Sequence, residues 1–230
     1  MEILVLTCDK YLHAIPPFAH QMKKYWPSHP PVVVGGFTKP SYQMPDGFSF
    51  LSIGRQEDYP VEKWSDGLSR FLLQTNEDVC LLFLEDMWLV EPAKAGIIKM
   101  ANDYMYQFEY VARFDMTSDR QFAKGSNRYG DLGGHEIIIS DRQSQYYLSM
   151  MPAFWRKSHL LRALRPGETP WQTEIDGTPR LREMMDIIVL GTTECPVKVT
   201  LAYRSGDPTS FVGEGLPARD IIEMQEAGIL

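Results

Sequence analysis

Two adjacent carboxylates, Glu85 and Asp86, follow the most hydrophobic run of the chain, Val79–Leu84. Hard divalent cations prefer oxygen ligands, so such a pair at a strand end can hold Mg2+ or Mn2+ against a diphosphate. A cation there would neutralise a departing nucleotide. The plainer alternative is that the two acids cap the next helix or face solvent. A second acidic cluster lies in PGETPWQTEIDG, residues 166–177, where Glu168, Glu174 and Asp176 surround Trp171. A carboxylate beside an aromatic wall suits a sugar site, and partial desolvation lets it act as a general base. An acidic loop anchored by one Trp is the alternative. A third pattern is cationic: Arg156, His159, Arg162 and Arg165 recur every third residue. On a helix that stripe drifts over about half the circumference, facing either phosphates or solvent.

These groups need elements to position them. The β-branched and Leu-rich run Glu2–Thr7 predicts a strand buried on both faces, ended by the polar cluster Thr7, Cys8 and Asp9. Pro31–Val34, Phe48–Ile53, Val79–Leu84 and Tyr110–Phe114 predict further strands. Helices are predicted from Pro16 to near Pro27, over Val61–Gln74 and over Pro92–Tyr106. This alternation predicts an α/β fold with a mainly parallel central sheet flanked by helices. Its ligands belong outside the carboxyl ends of the strands, where Asp9, Gly35–Gly36 and Glu85–Asp86 fall. Asp115–Gly134 reads as a long polar loop. Glu136–Ser140 and Gln145–Met150 read as a small antiparallel strand pair, Ala153–Leu164 and Arg180–Leu190 as helices, Val197–Tyr203 as a strand, and Pro217–Ala227 as a last helix.

Composition bounds the function. The 230 residues suit a single domain, 1–230, with a nucleotide half (1–115) and an acceptor half (116–230). A net charge of −7 argues against general nucleic-acid binding, which depends on neutralising phosphates. No apolar run is long enough to span a bilayer, and no signal-peptide pattern opens the chain. Cys8, Cys80 and Cys195 are odd in number and far apart, as expected of reduced thiols in a cytoplasmic protein. His13, His20, His29 and His135 show no metal-ligand spacing and read as surface or loop residues.

Four segments together resemble a bacterial and phage family of GT-A-like nucleotide-sugar glycosyltransferases of the polysaccharide-synthesis type: LVLTCDKY, KWSDGLSRFL, VCLLFLEDMWL and PAFWRKSHLLRALRPGETPWQTEIDGTPRLRE. The resemblance implies a GT-A fold and transfer of a hexose or pentose from a nucleotide sugar, such as a UDP-sugar, to a hydroxyl acceptor, in the first place a glycan. It implies that Thr7 and Asp9 approach the nucleotide and that Asp66 lies near the donor. Glu85 and Asp86 take the place of an Asp-x-Asp metal signature, and Glu174 becomes the base of an inverting displacement, with Asp176 as its substitute. Arg156 is a candidate for the diphosphate. Met87 and Trp88 stand where a third carboxylate would strengthen the metal site. Two other readings stay open: transfer to hydroxymethylated bases of phage-type DNA, motivated by the basic stripe and the Lys124–Arg128 loop, and a non-catalytic nucleotide-sugar binding module.

Overall fold

The computed structural model describes residues 1–122, 125–204 and 207–230. In chain order the strands are β1 (Glu2–Leu6), β2 (Val32–Gly36), β3 (Phe48–Ser52), β4 (Val79–Leu84), β5 (Met87–Leu89), β6 (Val111–Asp115), β7 (Ser126–Leu132), β8 (His135–Ser140), β9 (Ala153–Arg156), β10 (Ile188–Thr192), β11 (Val199–Leu201), β12 (Tyr203–Arg204) and β13 (Asp207–Phe211). The helices are α1 (Ile15–Tyr25), α2 (Trp64–Gln74), α3 (Ala95–Gln107), α4 (Asp119–Phe122), α5 (Lys157–Ala163), α6 (Pro170–Glu183) and α7 (Ala218–Glu226).

Nine strands form one sheet in the order β3-β2-β1-β4-β9-β6-β10-β8-β7. Only β8 and β9 run against the others. The expected mainly parallel α/β sheet flanked by helices is thus present, with small antiparallel pairs β5–β11 and β12–β13 beside it. Alternation along β1 explains the two-sided core. Ile3 and Val5 pack with Phe18 and Met22 of α1 and Met105 of α3. Leu4 and Leu6 pack with Leu68 and Phe71 of α2, Leu160 of α5 and Leu181 of α6. Among the described residues no helix is long and apolar enough to cross a membrane.

Five expectations need correction. The stretch Ala153–Leu164 is not one helix: Ala153–Arg156 inserts antiparallel between β4 and β6, with Phe154 and Trp155 fully buried, and α5 starts only at Lys157. The partner of β8 is Ser126–Leu132 rather than Gln145–Met150, because Gly133 (φ 58°) and Gly134 (φ 86°) supply the tight turn. Much of the expected 115–134 loop is therefore α4 and an edge strand. The acidic segment 166–177 is mostly helix. Thr169 Oγ1 accepts from Gln172 N–H (3.2 Å) while Gln172 Oε1 accepts from Thr169 N–H (2.9 Å), and Pro170 opens α6. Finally, α6 ends at Glu183, and β10 takes the end of the expected Arg180–Leu190 helix from Ile188 onward.

Candidate functional site

A cavity of about 630 Å3 opens at the carboxyl ends of β1 and β4. Its first wall is the turn after β1. The Asp9 carboxylate accepts from Thr38, at 2.9 Å from the backbone N–H and 2.6 Å from the hydroxyl. Asp9 N–H donates to Gln56 Oε1 (3.0 Å), and Gln56 Nε2 donates to the Tyr59 carbonyl (2.8 Å). The Tyr59 ring stacks on Phe37 at 5.5 Å. Asp9 is thus held by two other loops, next to an aromatic surface.

The second wall is the acidic pair. Glu85 is buried and Asp86 half-buried. Their backbone is fixed: the Glu85 carbonyl accepts from Trp88 Nε1 (2.9 Å), and the Asp86 carbonyl accepts from Ala202 N–H (2.8 Å). Burial, and secondarily the charge of Asp86, raises Glu85 well above the carboxylate range. Burial pushes Asp86 up to about 6. Among the described lining residues Lys10 is the one basic side chain, set against Asp9, Glu85, Asp86 and Glu174. Its charge works to lower Glu85.

The third wall is α6, and α2 holds it in place. Ser65 Oγ donates to the Arg165 carbonyl (2.7 Å) and accepts from Glu168 N–H (3.1 Å). Ser65 N–H donates to the Glu168 carbonyl (3.0 Å), and Asp66 Oδ2 accepts from Gly167 N–H (2.7 Å). Gly167 sits at φ 80°, a conformation glycine adopts without cost. Glu168 closes the joint by pairing with Arg180 at 2.7 Å. From this anchored start Pro170, Trp171 and Glu174 reach the cavity on one face of the helix. Glu174 Oε1 accepts from Met150 N–H (2.7 Å). Burial raises its pKa, against the downward pull of that N–H and the Ser149 hydroxyl.

Thr7, Asp9, Glu85, Asp86 and Glu174 therefore meet in one cavity, with Trp171. Three other expected residues are not brought to it. Asp66 binds the turn behind the wall. Asp176 is exposed, two residues and about 200° around the helix from Glu174. Arg156 is buried at the far end of β9, opposite Val79, where it pairs with Asp78 and donates to the Met105 and Phe108 carbonyls. The rest of the cationic stripe is engaged in contacts within the chain, at its surface. His159 contacts the Glu109 carbonyl (2.8 Å), Arg162 pairs with Asp186 (2.8 Å) and Arg165 donates to the Leu164 carbonyl (2.9 Å). Lys124 lies outside the described residues, and Arg128 bonds Asp131 and Glu136. Phe37, Gln56, Tyr59 and Tyr203 join the site without any sequence signal. They come from loops and a short strand that no spacing rule connects to Asp9.

A divalent cation fits the second wall on chemical grounds. Two desolvated carboxylates repel each other, and a cation held by Glu85 and Asp86 would relieve that repulsion. Among the described residues no cluster of three His, Cys, Asp or Glu side chains could hold a metal alone. Cation binding through one or two carboxylates plus substrate phosphates is the usual arrangement for Mg2+.

No family model and no curated protein matches the chain. Solved structures similar to it include residues 1–349 of S. aureus TarS (TM-score 0.48, 15% identity), covering 84% of this chain and 60% of that one. Another is glucosyl-3-phosphoglycerate synthase from Mycobacterium tuberculosis, crystallised with Mn2+, UDP and phosphoglyceric acid (TM-score 0.45, 10% identity), covering 82% of this chain and 66% of that one. The chain spans about 37% of the longer TarS structure.

Proposed function

We propose that the chain is a glycosyltransferase of one domain, 1–230, with a donor half (1–115) and an acceptor half (116–230). One observation carries the reading: the acid pair at the end of β4, the Asp9–Gln56–Tyr59 corner and half-buried Glu174 open on the same cavity. The nucleoside lies at the corner formed by Thr7, Asp9 and Tyr59. Its diphosphate faces Glu85 and Asp86. With four carboxylates and one ammonium in the lining, a diphosphate needs added positive charge. Mg2+ or Mn2+ bound there would supply charge neutralisation for the leaving nucleotide. Lys10 adds a second positive charge on the same side.

Glu174 acts as the base. Met150 N–H and the Ser149 hydroxyl orient the carboxylate, and its remaining oxygen lone pairs take the proton of an acceptor hydroxyl. That hydroxyl attacks the anomeric carbon as the bond to the diphosphate breaks, and the sugar inverts. Trp171 offers an apolar wall for the acceptor ring. The raised pKa of Glu174 keeps it basic enough to accept the proton, and it is ionised once the pH exceeds that value.

A thermal-shift series of nucleotide sugars, with and without Mn2+, tests the donor site, because a bound donor stabilises by mass action. We expect one donor class to shift Tm only with the metal. Absence of any shift counts against a donor site, and an equal shift after EDTA treatment removes the metal from the reading. The Glu174→Gln variant separates enzyme from binding module. It should keep the donor shift while turnover falls by roughly 10²-fold or more, the scale of general-base catalysis. Near-wild-type turnover overturns the assignment of the base.

A further inference from the structure

A second and larger recess, of about 1180 Å3 against about 630 Å3 for the donor cavity, runs along α1. Its upper end adjoins that cavity. His13 packs edge-on against Tyr203 at 5.2 Å, Tyr203 lines the donor cavity, and Thr38, which holds Asp9, lines the recess. From there it follows α1 for roughly 16 Å, the rise of eleven helical residues, to His29 and Gly47. The far wall is the 38–47 loop, pinned by Tyr42, whose hydroxyl donates to the Leu12 carbonyl (2.6 Å). The groove is preformed, so little ordering opposes binding.

Its charge is opposite to that of the molecule. The chain carries −7, but among the described residues lining the groove the ionisable side chains are Lys23, Lys39 and three histidines against the carboxylate of Asp46, with Glu223 behind the wall at 3.8 Å from His20. Lys23 and Lys39 are exposed, and among the described residues neither has an ion-pair partner. Lysines placed on a groove without partners offer fixed sites to oxyanions, and imidazole N–H groups add donors.

We propose that this groove binds an anionic chain, a glycan bearing carboxylate or phosphate groups, and leads it toward the donor cavity. Its role as the acceptor track rests on the glycosyltransferase reading. A nucleic acid fits less well. Single strands need aromatic platforms for stacking, and among the described residues Tyr42 is the one aromatic side chain lining the groove apart from the histidines. Duplexes need many phosphates neutralised, and two lysines supply little of that.

The test is isothermal titration with four probes: an oligogalacturonate, a short polyphosphate, a neutral maltooligosaccharide and a single-stranded oligodeoxynucleotide. Each is run on the wild type and on a Lys23→Glu/Lys39→Glu double variant, whose Tm is measured alongside. We expect at least one acidic chain to bind, more weakly at high salt, and about tenfold or more weakly to the variant at low ionic strength. The neutral oligomer should not bind. The proposal fails if neither acidic chain binds, if the double variant binds them as the wild type does, or if the oligonucleotide binds more tightly than both. A nucleotide-sugar thermal shift on the same variant separates the two readings. Loss of acidic-chain binding with an intact donor shift supports the groove. If acidic chains bind at the groove but no nucleotide sugar binds in the cavity, the groove stands and the donor reading falls.

Discussion

The charge of Asp86 works against folding and for ligand binding. Its pKa of about 6 lies above the usual range, so the folded protein holds that proton more tightly than the unfolded chain does. Protonation therefore stabilises. Lowering the pH through about 6 relieves the penalty, and raising it restores the penalty. The Asp86→Asn variant should accordingly be more stable than wild type in metal-free buffer at pH 7, by about 1 kcal/mol, or roughly 2–4 °C in Tm for a chain of this size. It should lose metal-dependent donor binding, a trade common at functional sites. Calorimetry of the EDTA-treated proteins checks this, and an unchanged or lower Tm means that the carboxylate carries no desolvation cost. Donor affinity in Mn2+ should fall as the pH drops below about 6, since a protonated Asp86 is a poor metal ligand.

At the scale of elements, the joint between α2 and α6 gives Asp66 a role different from the donor contact implied by the family resemblance. Its carboxylate holds Gly167 N–H, and the turn it fixes aims Trp171 and Glu174. Asp66→Ala should cost about 1–2 kcal/mol, a lost hydrogen bond to a charged acceptor. Turnover should fall while the nucleotide-sugar thermal shift stays. If the donor shift is lost and Tm is unchanged, Asp66 touches the donor instead. The same joint marks where the sequence could be read and where it could not. Strands β1 and β4 were legible because both faces are buried and the apolar runs are continuous, and Glu85–Asp86 followed from the end of β4. Strand β9 was hidden because four residues carry no period, and Arg156 at its end looked like the start of a basic helix. Helix α6 was hidden because residues 166–177 also read as an acidic loop around Trp171, although the Thr169–Gln172 capping pair was present. Gln56 and Tyr59 were beyond reach, since only tertiary packing brings their loop to Asp9.

At the scale of the whole molecule, the C-terminal helix is tied to the first one through two acids, buried Asp220 and half-buried Glu223, which also pairs with Lys24. Asp220 accepts from Gln21 Nε2 (2.9 Å), Lys24 Nζ (2.7 Å) and Tyr25 Oη (2.8 Å), and Met224 adds an apolar contact to the same side of the core. Burial pushes the Asp220 pKa up, but the hydrogen bonds from Lys24, Gln21 and Tyr25 outweigh it and hold the group below the usual range. A depressed carboxylate contributes stability that is complete above its unfolded pKa and is lost as the pH falls through the folded value. Asp86 and Asp220 thus respond to acid in opposite senses: Asp86 gains stability as the pH drops through about 6, and Asp220 begins to lose it below about 4. The metal-free protein should show its highest Tm between those two values. Asp220→Asn should remove much of the acid-side fall and cost about 2–3 kcal/mol at pH 7, because Lys24 loses a charged partner in a largely buried setting. Asp86→Asn should reduce the neutral-side fall, leaving the part that buried Glu85 and Glu174 contribute, and leave the acid side alone. A Tm–pH series on the three proteins decides it. If Asp220→Asn keeps the wild-type acid limb, other carboxylates control acid unfolding, and the α1–α7 tie is held by the Glu223–Lys24 pair and the apolar contacts.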